Sequence, residues 1–198
     1  MNTTRIQTRL QPMATALAVL AGGALYPLES RAQDIFPSGG SFREHQRIWV
    51  GVNAIRANAH VPPFTVEDPK LKQAVSNYAK FLAANHDKDG PPAIHTADGK
   101  TPQQRAADAG FKCSAAVVEN IAAAWFSPPF RPPGCTGEAC SNSHMATSKA
   151  LDFWNNSPPH HAAMVNPALT LTAIGVGGFR FGQEDFYIFV MNFSPPCP

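Results

Sequence analysis

The sequence predicts an α+β domain with a central antiparallel sheet, and three observations support this prediction. Ile48, Val52 and Ile55 recur at helical spacing near the start of the mature chain. β-Branched and aromatic residues are concentrated in two runs near the C-terminus, residues 171–181 and 186–193. The four residues between these runs read Gly-Gln-Glu-Asp, as in a hairpin connection. Helices that precede and cover one terminal antiparallel sheet describe an α+β fold.

The second and third helices have the clearest start signals. Asp68 is a candidate N-cap and Pro69 fits the first helical position, with an apolar stripe that continues to about Asn85. Thr101 begins a T-x-x-Q capping box, which opens a short helix that Gly110 ends. Both helices therefore have predicted bounds, and the first of the two also has a predicted apolar face.

Two more helices are predicted before the terminal strands. The fourth has Ala146, Ala150 and Phe153 on its buried side. The fifth is brief, lying between the Ser-Pro pair at 157–158 and the Asn-Pro pair at 166–167.

One apolar segment in the middle of the chain is ambiguous. Residues 117–125 are rich in Val, Ile and Ala, which suits either a buried strand or a helix. The sequence leaves both assignments open.

The first 32 residues are predicted to be an export signal. Arg5 and Arg9 form a positive n-region, residues 13–25 are apolar or small, and residues 30–32 fit a small-x-Ala cleavage site. The apolar run is shorter than the roughly 20 residues that span a bilayer. We therefore expect a secreted or periplasmic protein without a permanent membrane span, and the alternative is retention by an uncleaved anchor.

The mature chain is expected to begin at Gln33. Residues 33–43 are predicted to form a linker, and residues 44–198 a single domain that contains a Pro/Gly- and Cys-containing loop at 126–142. A chain of 198 residues with 44% hydrophobic residues is consistent with this organisation.

The charge of the chain excludes one class of partner. It has 16 basic and 14 acidic residues, and without the leader 13 of each remain. A neutral domain without a basic stripe is not expected to bind nucleic acid, because neutralising phosphates requires clustered Lys and Arg. Its net charge does not indicate binding to an anionic membrane surface either.

All four cysteines lie in the exported part, where an even number favours disulfides. Three pairings are possible, and we favour Cys135 with Cys140, which close a local loop, and Cys113 with Cys197. A zinc knuckle is the alternative, but no C-x2-C spacing supports it.

The motifs of the common hydrolases, nucleotide-binding enzymes and zincins are absent. The remaining candidates are His95, Glu119 and His160, which lie beside predicted turns. His160 lies in the first turn of the fifth helix, where the helix dipole favours the neutral imidazole. Two of them also have a structural explanation: Glu119 as an acid held by backbone donors, and His95 as a solvated loop residue. His161 is the alternative to His160, and only one of the two is expected to face a shared site, because successive helical residues point about 100° apart.

Together, the order and spacing of eight short motifs identify a family resemblance. The chain resembles the CAP superfamily (cysteine-rich secretory proteins, antigen 5 and pathogenesis-related class 1) in its bacterial, SCP-domain form, over residues 48–193. The motifs are VNAIR at 52–56, FTVEDPKL at 64–71, HTADGKTP at 95–102, ENIA at 119–122, WNNSPPH at 154–160, NP at 166–167, GVG at 175–177 and NF at 192–193.

The resemblance implies a three-layer α-β-α sandwich and a cleft that holds two histidines and two acids. His95, Glu119 and His160 match three of these positions, whereas Ser157 stands where the second acid is expected. Two imidazoles and one carboxylate suit a divalent ion such as Zn²⁺ with an open position for water. Asn120 and Ser157 are then expected to orient the imidazoles.

Three functions remain in competition. The first, favoured by the resemblance, is a non-enzymatic binding module for an unknown ligand such as a peptide, lipid or sterol. The second is a metal-assisted peptidase or esterase in which Glu119 acts as the base. The third is a structural envelope protein, because a fold does not fix a function.

Overall fold

The computed structural model describes residues 33–34, 41–85, 95–126, 136–137, 141–181 and 184–197. The predicted export signal, Cys135, Cys140 and most of the 126–142 loop lie outside the described residues. Two residues of the expected linker form a short strand, and the first helix begins at Phe42.

The described residues contain five helices and four strands, and the ambiguous segment 117–125 is resolved as a strand. In chain order they are β1 (Gln33–Asp34), α1 (Phe42–Asn58), α2 (Pro69–Ala84), α3 (Pro102–Asp108), β2 (Val118–Phe126), α4 (Asn142–Asn156), α5 (Pro158–Val165), β3 (Leu171–Phe181) and β4 (Glu184–Ser194).

The start signals of α2 and α3 are confirmed at the level of hydrogen bonds. The Asp68 carboxylate accepts from the backbone N–H groups of Lys70 at 2.8 Å and Leu71 at 2.9 Å. In α3 the Thr101 hydroxyl accepts from the Gln104 N–H, and the Gln104 side chain accepts from the Thr101 N–H. Local sequence therefore sets where both helices begin.

The strands form one antiparallel sheet in the order β1-β3-β4-β2. The predicted hairpin of β3 and β4 is confirmed, with Leu171 opposite Ser194. β2 pairs with β4 only, so that Glu119 lies opposite Asn192 and Asn120 opposite Met191. β2 is consequently an edge strand in the described sheet.

Helices cover both faces of this sheet, which confirms the three-layer α-β-α sandwich. One face packs against α2 and α3 around Leu71, Val75 and Ile188. The other packs against α1, α4 and α5 around Ile48, Trp154 and related residues.

Two glycines allow α2 to approach β3 closely. A Cβ atom at Gly175 would lie 2.1 Å from the Val75 carbonyl oxygen, and one at Gly177 would lie 2.3 Å from the Ala79 carbonyl oxygen. Both contacts are with backbone, which cannot move aside as a flexible side chain does. The Gly-Val-Gly motif is therefore required by helix-on-sheet packing.

The predicted buried face of α4 is wrong in one residue. Phe153 is exposed, whereas Trp154 is fully buried with Ala146 and Ala150. Residues 146, 150 and 154 follow a four-residue spacing along one helix face, and residue 153 is rotated about 100° away from residue 154. Phe153 instead packs beside His160, with the ring centroids 5.0 Å apart.

In the part of the chain that the structure describes, no helix has the length and apolar character needed to cross a membrane.

Candidate functional site

The candidate site is built around the first residues of the edge strand β2. Neighbouring residues of a strand point to opposite faces of the sheet. Glu119 accordingly meets α3 on one side, and Asn120 meets α5 on the other. The edge of the sheet is thus the place where residues from both helical layers come together.

His95 and Glu119 are in direct contact. The Nδ1 atom of His95 lies 3.1 Å from Oε1 of Glu119. The carboxylate side chain is 1% exposed, whereas the imidazole is 49% exposed. Glu119 is therefore the buried partner, and His95 is the partner that solvent can reach.

Arg105 of α3 holds the same carboxylate. Its Nη2 atom donates to both Glu119 oxygens at 2.8 Å, inside the protein. Its guanidinium also donates to the His95 carbonyl oxygen at 3.1 Å and to the Asp98 carboxylate at 2.9 Å. One buried cation thus ties the 95–100 loop to β2 and fixes the position of His95.

Tyr78 of α2 completes this cluster. The central guanidinium carbon of Arg105 lies 3.4 Å from the centroid of the Tyr78 ring. The Tyr78 hydroxyl accepts a hydrogen bond from the Ala97 backbone N–H at 3.1 Å. Contacts from α2, from the 95–100 loop and from β2 therefore fix the guanidinium in place.

Burial raises the pKa of Glu119 above its ordinary value, because the charged form loses solvation. The charges and hydrogen bonds of Arg105 and His95 oppose this shift. The carboxylate is consequently a desolvated group whose negative charge an adjacent guanidinium compensates.

His160 is held by neutral groups. The Ser157 hydroxyl lies 2.7 Å from Nδ1 of the imidazole. Ser157 is the N-cap residue of α5, but its side chain does not cap the helix. The hydroxyl is therefore placed to orient His160.

Asn120 is hydrogen-bonded to the main chain of α5. Its Nδ2 atom donates to the His160 carbonyl oxygen at 3.0 Å. Asn120 therefore positions the backbone of His160, whereas the sequence predicted contact with an imidazole.

His160 is affected by its burial and by His95. Burial, and secondarily the proximity of His95, lowers the pKa of His160 below its ordinary value. The neutral imidazole expected from the helix dipole is thus favoured, with burial as the main cause. The adjacent His161 is also partly buried, but its Nδ1 atom lies 3.2 Å from the Asn155 side chain, so His160 is the one of the two that shares the site with His95.

Glu119, the acid expected to be a zinc ligand, is already engaged. Both of its oxygens accept from Arg105. A second cation at this carboxylate would have to compete with a buried guanidinium. No group of three His, Cys, Asp or Glu side chains within the described ranges is placed to hold a metal. Zn²⁺ binding by His95, Glu119 and His160 stays a prediction.

Cys113 and Cys197 carry free thiols, so the predicted bridge is not formed in the structure. The two side chains are nevertheless hydrogen-bonded to one another. Cys113 follows α3, and the backbone carbonyl of Cys113 accepts from Gln103 of that helix at 3.4 Å. The contact thus joins the connection between α3 and β2 to the segment that follows β4.

Sequence reasoning missed Arg105, Tyr78 and the role of Asp98. Arg105 is a single basic residue in a short Ala-rich helix, and Tyr78 was assigned only to the apolar face of α2. The available signal was an unexplained arginine one turn after the capping box. Nothing in its spacing indicated which carboxylate it would meet.

Comparisons with known proteins bear on the fold and the family. The family model of the CAP proteins, described as the cysteine-rich secretory protein family, matches residues 51–193. No curated protein matches the chain.

Three solved structures that match the chain are of bacterial proteins. An outer surface protein of Borrelia burgdorferi is 20% identical, with a TM-score of 0.55, and the match covers 83% of this chain and 98% of that one. An extracellular SCP-domain protein of Bacillus anthracis is 18% identical, with a TM-score of 0.49, 78% of this chain and 41% of that one being covered. A cysteine-rich secretory protein of Staphylococcus aureus is 13% identical, with a TM-score of 0.48 and coverage of 81% and 41%.

Proposed function

Because the chain belongs to the CAP family, the cysteine-rich secretory proteins, we propose that it is an exported, non-enzymatic ligand-binding module. The observation that carries this proposal is the ion pair of Arg105 with both oxygens of Glu119. A general base needs an accessible lone pair near its substrate. Glu119 is buried and its oxygens are already engaged, so the geometry favours binding over hydrolysis.

The binding groups of this module are the two imidazoles. His95 is half exposed, and His160 is partly buried beside the exposed ring of Phe153. When protonated, both histidines donate hydrogen bonds and carry positive charge. We expect the site to take an anionic oxygen group, such as the carboxylate at the end of a peptide or lipid, and to bind it more tightly in acid.

The test is an NMR titration of the histidine Cε1–H resonances with acetate and with inorganic phosphate. We expect both His95 and His160 to shift at pH 6, and the affinity to fall at pH 8. His161→Gln is the matched control and should bind normally, whereas His160→Gln should bind more weakly. Lack of any response at His95 and His160 would refute the proposal.

Hydrolysis is tested on the same protein with a panel of peptides and esters. We expect no turnover above that of the Glu119→Gln variant. Activity that is present in the native protein and lost in Glu119→Gln would show an enzyme instead.

The groove between α1 and α4 is suited to a second ligand, which we propose is the apolar part of a lipid or sterol. A cavity of about 390 Å³ is lined by Val50, Gly51, Leu151, Arg47 and other residues of the two helices. Displacement of a fluorescent fatty acid and of a fluorescent sterol measures this binding. Ser148→Trp should obstruct the cavity and abolish binding, whereas the exposed control Lys80→Trp on α2 should not. Unaltered binding in Ser148→Trp would place the ligand elsewhere.

We also propose that Cys113 and Cys197 are joined in the exported protein. Their thiols are adjacent, and the contact lowers the pKa of Cys113, which favours the thiolate that attacks in disulfide formation. Bond formation removes two protons and two electrons, which a thiol oxidant outside the cytoplasm accepts. Non-reducing peptide mapping should find Cys113 linked to Cys197, and a Cys113–Cys135 peptide would contradict this pairing.

A further inference from the structure

The outer edge of β2 carries backbone groups without a partner among the described residues. β2 pairs with β4 in an unbroken register, from Val118 opposite Phe193 to Phe126 opposite Asp185. Within the described ranges, no backbone–backbone hydrogen bond beyond this ladder reaches residues 118–126. Alternate N–H and C=O groups of such a strand point away from the sheet and can pair with a further strand. We call this row of groups the β2 edge.

The β2 edge lacks the features that usually keep a sheet edge unpaired. Proteins protect exposed edges with bulges, prolines, charged side chains or very short strands. β2 is nine residues long and regular, with no proline and with Glu119 as its sole charged residue. Glu119 is turned inward and bonded to Arg105. The edge therefore admits a pairing strand.

An exposed aromatic side chain marks one end of the β2 edge. Trp125 is the next to last residue of β2 and is 60% exposed. It lies on the same face of the sheet as Glu119, because the two residues are an even number of positions apart. Neighbours across two paired strands interact on one face, and pairs of large apolar side chains stabilise the pairing. A strand added to β2 would meet Trp125 at this end.

The candidate site lies at the other end of the β2 edge. His95 contacts Glu119 on the face that α3 covers, and the His160 carbonyl contacts Asn120 on the opposite face. The two histidines are nevertheless close enough for the charge of His95 to contribute to the lowered pKa of His160. Two imidazoles held from opposite faces of the sheet thus flank the beginning of its edge strand.

The direction of strand pairing connects the two ends. A peptide that pairs antiparallel to β2 has its C-terminus beside the first residues of β2, where the imidazoles lie. A chain end presents a carboxylate, which is an acceptor for protonated His95 and His160. A strand rises about 3.3 Å per residue, so Glu119 and Trp125 are about 20 Å apart along β2. The peptide residue six positions before the C-terminus would lie opposite Trp125.

We propose that the ligand is the C-terminal segment of an extended peptide, which adds as an antiparallel strand to the β2 edge with its carboxylate at His95 and His160. An apolar residue six positions before the end packs against Trp125. This inference rests on the proposed anion site and specifies its ligand as a peptide and not a lipid. Main-chain pairing supplies affinity, and the carboxylate and the apolar residue supply selectivity.

The test measures the binding of a synthetic peptide to the exported, leader-processed protein by fluorescence anisotropy at pH 6. The probe is TFTVTVTV with a free C-terminus and a fluorophore at its N-terminus, so that its aromatic residue stands six positions before the last one. We expect saturable binding, and about tenfold weaker binding of the same peptide with a C-terminal amide. No binding of the free acid, or equal binding of acid and amide, would overturn the proposal.

Methylated peptides separate strand pairing from binding of the carboxylate alone. N-Methylation removes a donor and adds bulk at one edge of the peptide, and alternate N–H groups of a strand point to the same edge. Two probes are therefore methylated at alternate residues, one at odd and one at even positions. One of them should bind about tenfold more weakly, and the other should bind nearly as the parent peptide does. Equal affinity of the two would show that the peptide does not pair as a strand.

Variants of the protein locate the two ends of the bound peptide. Trp125→Ser should weaken binding about fivefold. Val66→Ser is the control and should bind normally, because Val66 is 71% exposed and the residues that follow it are bonded to β3, on the other side of β4. His160→Gln should weaken binding of the acid but not of the amide. Circular dichroism confirms that each variant is folded. Weaker binding in Val66→Ser, with Trp125→Ser unaffected, would place the peptide elsewhere and refute the proposal.

Amide exchange followed by NMR identifies other occupants of the β2 edge. In the free protein about half of the amides of residues 118–126 should exchange quickly, because they face outward, and the peptide should slow them. If all were protected without peptide, another part of the chain or a second copy would cover the edge, and the proposal would fail; sedimentation velocity tells these two apart. The acetate titration stays independent, because an anion site without strand pairing would respond to acetate and yet bind both methylated probes equally.

Discussion

His95 and His160 share one site but are held by different means. His95 contacts a buried carboxylate whose charge is compensated by Arg105. His160 contacts the hydroxyl of Ser157, with its main chain bonded to Asn120. The helix that carries His160 also depends on a buried arginine, Arg56, but that arginine meets carbonyl oxygens instead of acids.

We call these the ion-pair half, formed by His95, Arg105 and Glu119, and the carbonyl half, formed by Arg56, Ser157 and His160. In the ion-pair half the charges of Arg105 and Glu119 compensate one another. In the carbonyl half the groups around the imidazole are neutral, and the imidazole itself is the group that titrates. The difference teaches that Glu119 is held by a neighbouring cation, whereas His160 is held by neutral groups.

The largest effect is expected from breaking the ion-pair half. Arg105→Met leaves Glu119 buried without its cation, so the free energy of unfolding should fall by about 3–5 kcal/mol. Urea denaturation at neutral pH measures this loss. The double variant Arg105→Met/Glu119→Leu removes both charges and should recover most of the stability. If the double variant were as unstable as the single one, packing and not charge would hold this half together.

The carbonyl half should be less sensitive to loss of its arginine. Arg56 donates to the carbonyl oxygens of Pro62 and Met164 at 2.7 Å and lies over the Phe64 ring. Arg56→Met leaves carbonyl groups without their donor, but it leaves no buried carboxylate unpaired among the described residues. We therefore expect the free energy of unfolding to fall by about 2–3 kcal/mol. Urea denaturation of both variants, Arg56→Met and Arg105→Met, measures the two losses of unfolding free energy. A larger loss for Arg56→Met would reverse the ranking of the two halves.

Tyr78→Phe sharpens the comparison within the ion-pair half. The variant keeps the ring under Arg105 but removes the acceptor for the Ala97 N–H, which should cost about 1 kcal/mol. Tyr78→Leu removes the ring as well and should cost more. Equal losses in the two variants would show that the ring contact with the guanidinium contributes nothing measurable.

The smallest effect is the titration of His160 in the carbonyl half. Its folded-state pKa is lowered by burial and by His95, so the unfolded chain, with a value near 6.5, binds the proton first. The stability from neutral His160 is therefore complete above pH 6.5 and is lost as the pH falls through the lowered pKa. NMR titration should place the His160 midpoint below 6.5, and His95→Gln should move it upward. A midpoint at or above 6.5 would contradict this.

Much of the fold was predictable because its signals are local. The caps at Asp68 and Thr101, and the hairpin of β3 and β4, depend on residues that are close in sequence. The face of α4 was harder to predict, since Phe153 and Trp154 are both large apolar residues and only packing decides which one is buried.

The site was predictable in its residues but not in its chemistry. His95 and Glu119 were identified together, and they do meet. Their pairing with Arg105 was not foreseen, because a guanidinium 14 positions from Glu119 in the sequence gives no periodic signal. Whether the site binds Zn²⁺ stays a prediction, and a metal at Glu119 would have to compete with this guanidinium.

The sequence by itself determined where α2 and α3 begin, where the β3–β4 hairpin lies and which motifs place the chain in its family, since these depend on neighbouring residues and on the order of short segments. Only the tertiary structure decided that Arg105 compensates Glu119, that Ser157 orients His160 and that Asn120 is bonded to the main chain of α5. Each of these contacts joins residues from different elements or turns of the chain, and only packing fixes the distances and the burial that give them their energy.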